Sequence, residues 1–241
     1  MPSTNFVPSD HAFRFPNQFV NTVLDKWWFP KIETTGRCGG MCYAALDYYF
    51  AGISVPDFTP SDFDDGSVPP DGHRLADYLY TRQLDSMKWR DGLRFGRWTA
   101  RGDTRVMSRT LHNEIPKAKE SIDDGEPVVL GLLGSSSLKR LGKGNHQAVC
   151  YAYSEDASGI TTLYIYDPNH PPTHNFSGEV ELSRKMGGGL GFEADHGGPW
   201  RGFFVQRYSR RQPPQRFGGG GGVGGGGGGT FEPGSGQIQR R

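Results

Sequence analysis

The spacing of hydrophobic residues changes near the middle of the chain. In the first half, apolar side chains recur every three or four positions, which is the period of helices that bury one face. In the central stretch, Met41, Cys42 and Ala45 fall on one stripe, and Gly52 is placed to end the helix. Pro116 predicts a break within a later helix, because proline lacks the backbone N–H. The predicted helices are 37–52, 72–89, 105–122 and a short one near 18–26, and the predicted loops between them are 53–71 and 91–103.

The second half consists of short apolar or alternating runs that are separated by turn residues. Runs of about four to eight such residues are typical of strands. The turn at 155–159 joins two of them into a predicted hairpin. The predicted strands are 127–133, 145–153, 160–166, 177–182 and 202–208. Helices followed by an antiparallel sheet predict an α+β fold.

The composition changes once more near residue 210. Almost pure glycine between Gly218 and Gly229 cannot bury enough apolar area to offset its ordering entropy. We therefore predict one domain over residues 1–210 and a disordered Gly-rich tail over residues 211–241. The arginines at this boundary could contact RNA or lipid, although a solubilising tail is the simpler interpretation. They are Arg207, Arg210, Arg211 and Arg216.

Charge and cysteine content narrow the class of protein. The 241 residues carry a formal charge of +1 and three cysteines. This charge gives no argument for nucleic acid or an anionic membrane as a partner, and no apolar run is long enough to span a bilayer. The first ten residues lack the basic-then-apolar order of a signal peptide, and the odd cysteine count suits a reducing compartment. We expect a cytoplasmic monomer.

Cys38 lies among glycines at the predicted start of the central helix. Free backbone N–H groups and the positive end of the helix dipole converge at such a position. These surroundings favour the thiolate, which is the nucleophilic form of cysteine. The flanking glycines let a substrate approach the backbone closely. Cys38 is therefore the candidate nucleophile, and Cys42, one turn further along the apolar stripe, is the alternative.

Two further residues would complete a catalytic triad with this thiol. His146 opens one predicted strand, and Asp167 closes the next. Adjacent antiparallel strands would bring His146 beside Asp167 or Asn169, which suits a base and the group that orients it. His146 would take the proton of Cys38 and later protonate the leaving group, while Asp167 would fix the imidazole tautomer.

The chain resembles papain-like cysteine peptidases in three short motifs. These are Cys38-Gly39-Gly40-Met41-Cys42 at the start of an apolar helix, His146 at a strand start, and Asp167-Pro168 after an aromatic strand. The pattern is most similar to that of the bacteriocin-processing, or C39-like, peptidases. The resemblance implies a helical lobe led by the cysteine helix, facing a β lobe that carries the histidine and the aspartate. It implies a triad of Cys38, His146 and Asp167 that cleaves a peptide, isopeptide or amide bond in a peptide or protein substrate.

The chain departs from this family in one respect. Papain-like enzymes usually carry a glutamine several residues before the cysteine, where it helps to stabilise the oxyanion, and residues 30–35 contain none. The backbone N–H of Cys38 could supply one donor, and Lys31, Thr34 or Thr35 another. A missing donor typically lowers the rate by about 10²–10³-fold. The alternative is therefore a catalytically inactive papain-like domain that binds peptide or carbohydrate, and an acyl or amide transferase could use the same triad.

Metal and disulfide sites are weaker hypotheses. Asp62, Asp64 and Asp65 lack the glycine and the terminal glutamate of a calcium loop. A zinc site made of the three cysteines and the candidate histidine would lack a Cys-x-x-Cys pair. A disulfide between Cys42 and Cys150 is conceivable. We expect no metal and no cofactor.

A cationic loop precedes the candidate histidine. Its charged residues are Lys139, Arg140 and Lys143. A solvated turn is the simpler interpretation of this loop. The alternative is that it lines the cleft and favours acidic or carboxylate-bearing substrates.

Overall fold

The computed structural model describes residues 1–23, 32–64, 67–137, 144–184 and 190–217. Helices dominate the first half and an antiparallel sheet the second, which confirms the predicted α+β class. The helices are α1 (Pro8–His11), α2 (Cys38–Ala51), α3 (Arg74–Ser86), α4 (Trp89–Thr99), α5 (Asp103–Arg109) and α6 (Ile115–Asp123), with a 3₁₀ turn at Pro60–Asp62 and a π turn at Thr110–Glu114. The strands are β1 (Val20–Val23), β2 (Ile32–Thr35), β3 (Val128–Leu133), β4 (Asn145–Glu155), β5 (Thr161–Tyr166), β6 (Glu179–Arg184), β7 (Phe192–Ala194) and β8 (Gly202–Val205).

Helix α2 runs through the core of the protein. Residues Gly39 to Tyr48 are all buried, so the helix is covered on every side and not along a single stripe as the sequence indicated. It packs against α3 and against β4. A Cβ atom at Gly40 would lie 2.1 Å from the carbonyl oxygen of Leu79, so glycine at this position lets α2 and α3 approach closely. Gly52 ends the helix with a φ of 64°, as predicted.

The helices are short. Helix α2, the longest of those described, has 14 residues. In the described part of the chain, no helix combines the length and the apolar character that crossing a membrane requires.

Six strands form the main sheet in the order β7-β6-β5-β4-β3-β8, and all neighbouring strands are antiparallel. The edge strands converge, because Trp200, just before β8, pairs with Phe192 of β7 through backbone hydrogen bonds of 2.7 and 2.9 Å. The sheet therefore curls. Alternate residues of β4 serve different cores, since Val149 packs with α2 and Ala148 with α6.

The predicted helix near 18–26 is wrong in its described part. Residues 20–23 form β1, which pairs with β2 in a register that sets Val20 opposite Thr35. β-branched residues in both segments favour strands, and the pairing supplies their backbone hydrogen bonds. The remainder of that stretch lies outside the described residues.

The predicted loop at 91–103 is also wrong, because most of it belongs to α4. Phe95 and Trp98 of this helix contact the ring of Phe204 in β8, with ring centroids 4.8 and 5.5 Å apart. This tertiary contact stabilises a helix whose glycines and arginines are typical of a loop.

The predicted helix at 105–122 is interrupted just before Pro116, where a π turn separates two α-helices. Helix α5 ends at Arg109, the π turn follows, and Pro116 lies in the first turn of α6. Proline is tolerated there because an N–H in the first turn has no partner within the helix.

The packed domain extends past the boundary that we predicted after residue 210. The hydroxyl of Tyr48 donates to the carbonyl oxygen of Pro214 over 2.6 Å. Residues 211–217 therefore pack against the helical half. The glycine-rich remainder of the predicted tail lies outside the described residues.

A buried ion pair anchors this C-terminal segment. Arg82 of α3 and Asp47 of α2 are almost completely buried, and Arg82 Nε lies 2.7 Å from the Asp47 carboxylate. Asp47 also accepts hydrogen bonds of 2.7 Å from the hydroxyls of Tyr78 and Tyr208. Arg82 donates to the carbonyl oxygen of Ser209 over 2.7 Å. The pair thus joins α2, α3 and the C-terminal segment.

Replacing the buried cation should destabilise the fold. We expect Arg82→Met to lower the free energy of unfolding by about 3–5 kcal/mol, because the Asp47 carboxylate would stay buried without its cation. Chemical denaturation followed by circular dichroism measures this change. The matched control is Arg14→Met, since the ion pair of Arg14 with Asp57 is exposed and should contribute little. Equal losses in the two variants would contradict the role assigned to the buried pair.

Candidate active site

Cys38 is the first residue of α2 and is partly exposed. Among the first N–H groups of this helix, those of Gly40 and Met41 donate over 2.8 Å, to Gln83 Oε1 and to a backbone carbonyl respectively. The N–H groups of Cys38 and Gly39 have no acceptor within the described ranges. Two free donors therefore lie at the positive end of the helix dipole, where they can bind an anion.

His146 is the second residue of β4, and Asp167 directly follows β5. These strands are antiparallel neighbours, and the register that pairs Val149 with Tyr166 sets both side chains on one face of the sheet. Both side chains are buried, and His146 Nε2 lies 2.6 Å from Asp167 Oδ1. The structure thus brings these two predicted site residues together.

Asp167, and not Asn169, is the partner of the imidazole. The backbone N–H of Asn169 donates to Asp167 Oδ1 over 2.8 Å and so helps to hold the carboxylate. The side-chain Oδ1 of Asn169 instead accepts from Asn17 Nδ2 over 3.1 Å. Of the two residues that the sequence left open as partners of His146, Asp167 is the one that binds the ring.

Cys38 acts electrostatically on His146 where the helix meets the sheet, while its Sγ lies 3.9 Å from Gln147 Oε1. Burial favours the neutral imidazole, but the Asp167 carboxylate and the Cys38 sulfur outweigh burial and raise the pKa of His146 well above its usual value. Burial likewise opposes the charge of Asp167, yet His146 and the N–H of Asn169 lower the pKa of that carboxyl. Because Asp167 binds Nε2, Nδ1 is the ring nitrogen left for the sulfur. The arrangement favours an imidazolium between two acidic groups.

Trp200 covers one face of the His146 ring. The two rings are nearly parallel, at 13°, with centroids 5.8 Å apart. The backbone pairing of Trp200 with Phe192 holds the indole in this position. The contact that brings the edge strands together therefore also keeps water from one side of the imidazole.

The other two cysteines are buried thiols. Cys42 and Cys150 are fully buried, and all three cysteines are free. Burial raises the pKa of Cys150 to about 12, and burial together with the nearby Cys38 raises the pKa of Cys42 well above its usual value. Both thiols therefore stay protonated at neutral pH, which favours Cys38 over Cys42 as the nucleophile. Within the described ranges, no three His, Cys, Asp or Glu side chains are grouped so that they could hold a metal ion.

Two charged groups named from the sequence lie away from this site or outside the described residues. The carboxylate of Asp62 accepts the N–H of Thr59 over 2.7 Å and caps the 3₁₀ turn. Its predicted neighbour Asp65 lies outside the described residues, as does the cationic loop before the histidine, with Lys139, Arg140 and Lys143.

Sequence reasoning missed two buried glutamines behind the candidate nucleophile. Gln147 Oε1 lies 3.9 Å from Cys38 Sγ, while Gln147 Nε2 donates to Gln206 Oε1. Gln206 Nε2 donates in turn to the carbonyl oxygen of Ser86 over 3.2 Å. Because that carbonyl can only accept, it sets the orientation of both amides, and Gln147 presents an oxygen to Cys38. The one sequence signal is that Gln147 directly follows the candidate histidine.

Sequence reasoning also missed two amide residues that are far from the cysteine in the chain. At the open end of the β1–β2 pair, the N–H of Gly36 donates to the carbonyl of Phe19 over 2.8 Å, and continuing this register puts Gln18 opposite Arg37. Asn17 Oδ1 accepts the N–H of Arg37 over 2.5 Å. Gln18 is exposed, and its side chain makes no hydrogen bond within the described ranges.

Comparisons with known proteins assign neither a family nor a function to this chain. No protein-family model matches the chain, and no match is found among curated proteins or solved structures. The geometry of Cys38, His146 and Asp167 is therefore the basis on which a function can be inferred.

Proposed function

We propose that this protein is a cysteine-dependent hydrolase that cleaves a peptide, isopeptide or amide bond. The observation that supports it most is the buried contact of 2.6 Å between His146 Nε2 and Asp167 Oδ1, with the partly exposed Cys38 sulfur near enough to raise the pKa of the same imidazole. A thiol beside an imidazole that a carboxylate orients is the arrangement of nucleophile, base and orienting group used in covalent catalysis.

The reaction would proceed by acyl transfer to sulfur. His146 takes the proton of Cys38, and Asp167 stabilises the resulting imidazolium. The thiolate attacks the substrate carbonyl carbon, a C–S bond forms, and the N–H groups of Cys38 and Gly39 stabilise the oxyanion. His146 then protonates the leaving amine as the C–N bond breaks. Water hydrolyses the thioester and regenerates the thiol.

We also propose a papain-like arrangement of the two halves of the fold. The candidate nucleophile lies at the tip of a helix from the helical half. The candidate base and its orienting carboxylate come from two adjacent strands of the sheet. This division agrees with the two lobes that the sequence resemblance implies.

Gln18 is our proposed side-chain donor to the oxyanion, in place of the glutamine missing from residues 30–35. The continued register of the β1–β2 pair sets it opposite Arg37, and its amide is exposed and unengaged. Asn17 is less suited, because its amide already binds the N–H of Arg37 and the side chain of Asn169. The inactive alternative was based on the missing glutamine, and a donor from Gln18 would remove that basis.

Alkylation tests the proposed activation of the thiol. Iodoacetamide at pH 6 should modify Cys38 far faster than the buried Cys42 and Cys150, as measured by peptide mass spectrometry. His146→Ala should slow modification of Cys38 by about tenfold to a hundredfold, because an ordinary thiol with a pKa near 8.5 is only about 0.3% ionised at pH 6. The matched control is the exposed His112→Ala, which should leave the rate unchanged. Equal, slow labelling of all three thiols would contradict the proposal.

Product analysis separates hydrolysis from transfer. In the presence of an added amine, a hydrolase releases mainly the free carboxylic acid, whereas a transferase forms the new amide. Cys38→Ala should abolish both products.

The pKa shifts predict how pH acts on the pair. Because the folded state raises the pKa of His146, it binds that proton more tightly than the unfolded chain, and this stabilisation is lost as the pH rises through the folded-state value. The lowered pKa of Asp167 stabilises the fold at higher pH, and this contribution is lost as the pH falls through its folded-state value. Both contributions are fully present between about pH 4 and pH 6.5.

Asp167→Asn should therefore move the titration of His146 to lower pH. The Asp167 carboxylate is the group that contributes most to raising the pKa of the ring. With less imidazolium beside it, Cys38 should also be alkylated more slowly near pH 6. NMR of the imidazole carbon and nitrogen nuclei measures the titration. The control is the exposed Asp195→Asn, and an unchanged titration in Asp167→Asn would exclude the proposed coupling.

Gln18→Ala tests the oxyanion donor separately from the triad. We expect kcat for a p-nitrophenyl ester of N-blocked glycine to fall by about 10²-fold. Alkylation of Cys38 should be unchanged, because no oxyanion forms in that reaction. The exposed Gln212→Ala is the matched control. An unchanged kcat would rule out Gln18 as the donor while leaving the triad in place.

A further inference from the structure

An arginine-rich surface covers the side of the protein formed by α4 and α5. Residues 89–117 contain seven Lys and Arg against three Asp and Glu, whereas the net charge of the whole chain is only +1. Five of these arginines make no ion pair within the described ranges, and we refer to them as the arginine face. They are Arg90, Arg97, Arg101, Arg105 and Arg109.

The acidic residues of the region do not neutralise the arginine face, because each is engaged elsewhere. Arg94 pairs with Asp91 over 3.6 Å and with Glu114 over 3.2 Å. Asp103 pairs with Arg201 over 2.5 Å. The three carboxylates are thus paired with Arg94 and Arg201, and the charge of the solvent-facing side chains is positive.

The arginines are also crowded together. Slight burial and the neighbouring cations Arg109, Arg97 and Arg105 lower the pKa of Arg101. Four of the five side chains are exposed, and Arg101 is partly exposed. Like charges held together without counter-charges favour the arrival of an anionic partner.

A groove of about 640 Å³ runs beside α4. Its cationic lining residues include Arg90, Arg97 and Lys117, and its apolar ones are Leu93 and Val205. Leu93 is 55% exposed, so an apolar side chain faces solvent between the cationic residues of the groove. This combination fits an anionic partner that also carries an apolar side chain.

Buried side chains connect the lining of the groove to the candidate active site. Gln206, which also lines it, hydrogen-bonds to Gln147, whose Oε1 is 3.9 Å from Cys38 Sγ. At the far end of α4, Thr99 Oγ1 accepts a hydrogen bond from Asn145, the residue before the candidate base. The lining of the groove and the candidate site therefore share the buried contact between Gln206 and Gln147.

We propose that the arginine face docks an acidic stretch of the polypeptide substrate and that Leu93 contacts an apolar side chain within this stretch. The proposed function enters only in identifying the docked polypeptide as the substrate. Guanidinium groups bind carboxylates in a two-point geometry, which suits Asp and Glu side chains. Nucleic acid fits less well, because bases stack on open aromatic rings and the rings of Phe95 and Trp98 in α4 are buried.

The test measures binding in the Cys38→Ala protein, so that it does not depend on turnover. The probe is a fluorescein-labelled peptide of glutamates around one central leucine, followed by fluorescence anisotropy. A peptide with glutamine in place of glutamate should bind at least about tenfold more weakly. Added salt should weaken binding of the acidic peptide, because it screens exposed charges. A single-stranded oligonucleotide of equal charge should bind more weakly than the acidic peptide.

A triple variant identifies the surface. Arg90→Gln, Arg97→Gln and Arg105→Gln together should weaken binding of the acidic peptide by at least about tenfold. The control variant removes the same charge from other surfaces, through Arg14→Gln, Arg184→Gln and Arg216→Gln, and should bind almost as tightly as the parent. Circular dichroism checks that both variants are folded.

Three results would overturn the proposal: an equal loss in the control variant, equal binding of the glutamine peptide, or tighter binding of the oligonucleotide. None of them bears on the alkylation of Cys38. Conversely, a slow and unselective alkylation would remove the proposed chemistry and leave the docking result intact. The two failures can therefore be told apart.

Discussion

The close approach of α2 to the start of β4 is the constraint on which the candidate site depends. A Cβ atom at Gly39 would lie 2.0 Å from Gln147 Oε1 and 2.2 Å from Ser86 Oγ, so a larger residue would displace these two side chains from their contacts. Cys38 and His146 each precede one of the two residues in that contact, Gly39 and Gln147. The contact of Gly39 with Gln147 therefore brings the start of α2 to the start of β4, the two elements that carry Cys38 and His146. Gly39 therefore lets α2 pack closely against β4, in addition to the role that the sequence suggested, which is to let a substrate approach the backbone.

Two of the buried charge pairs in the described part of the chain lie in different surroundings. Arg82 and Asp47 lie between two helices, where the Asp85 carboxylate, tyrosine hydroxyls and backbone groups make further hydrogen bonds to them. Such a pair ties segments together and has no open side for chemistry. His146 and Asp167 are buried as well, but the third group that they contact, Cys38, is partly exposed. A buried charge pair beside an accessible nucleophile is the situation in which shifted pKa values point to catalysis.

The distribution of charge shows why net charge is a poor guide to partners. The formal charge of +1 gave no argument for nucleic acid or an anionic membrane as a partner. In the folded chain, Asp91 and Glu114 turn inward to Arg94, and the remaining arginines of α4 and α5 face solvent. The same internal pairs that attach α4 to the sheet thus create the arginine face. The ion pairs of Arg94 thus both stabilise the fold and leave the arginine face without carboxylates.

The sequence by itself determined the α+β order, the start of α2 at Cys38, strands β3–β6 and β8, and the candidate triad. Helical periodicity, strand alternation and turn residues depend on neighbours in the chain, so they can be read locally. Only the tertiary structure decided β1 and α4, because β1 forms through pairing with β2 and α4 through the contact of Phe95 with Phe204. It alone brought Gln147 to within 3.9 Å of Cys38 Sγ, since helix–sheet packing joins residues that no local pattern relates.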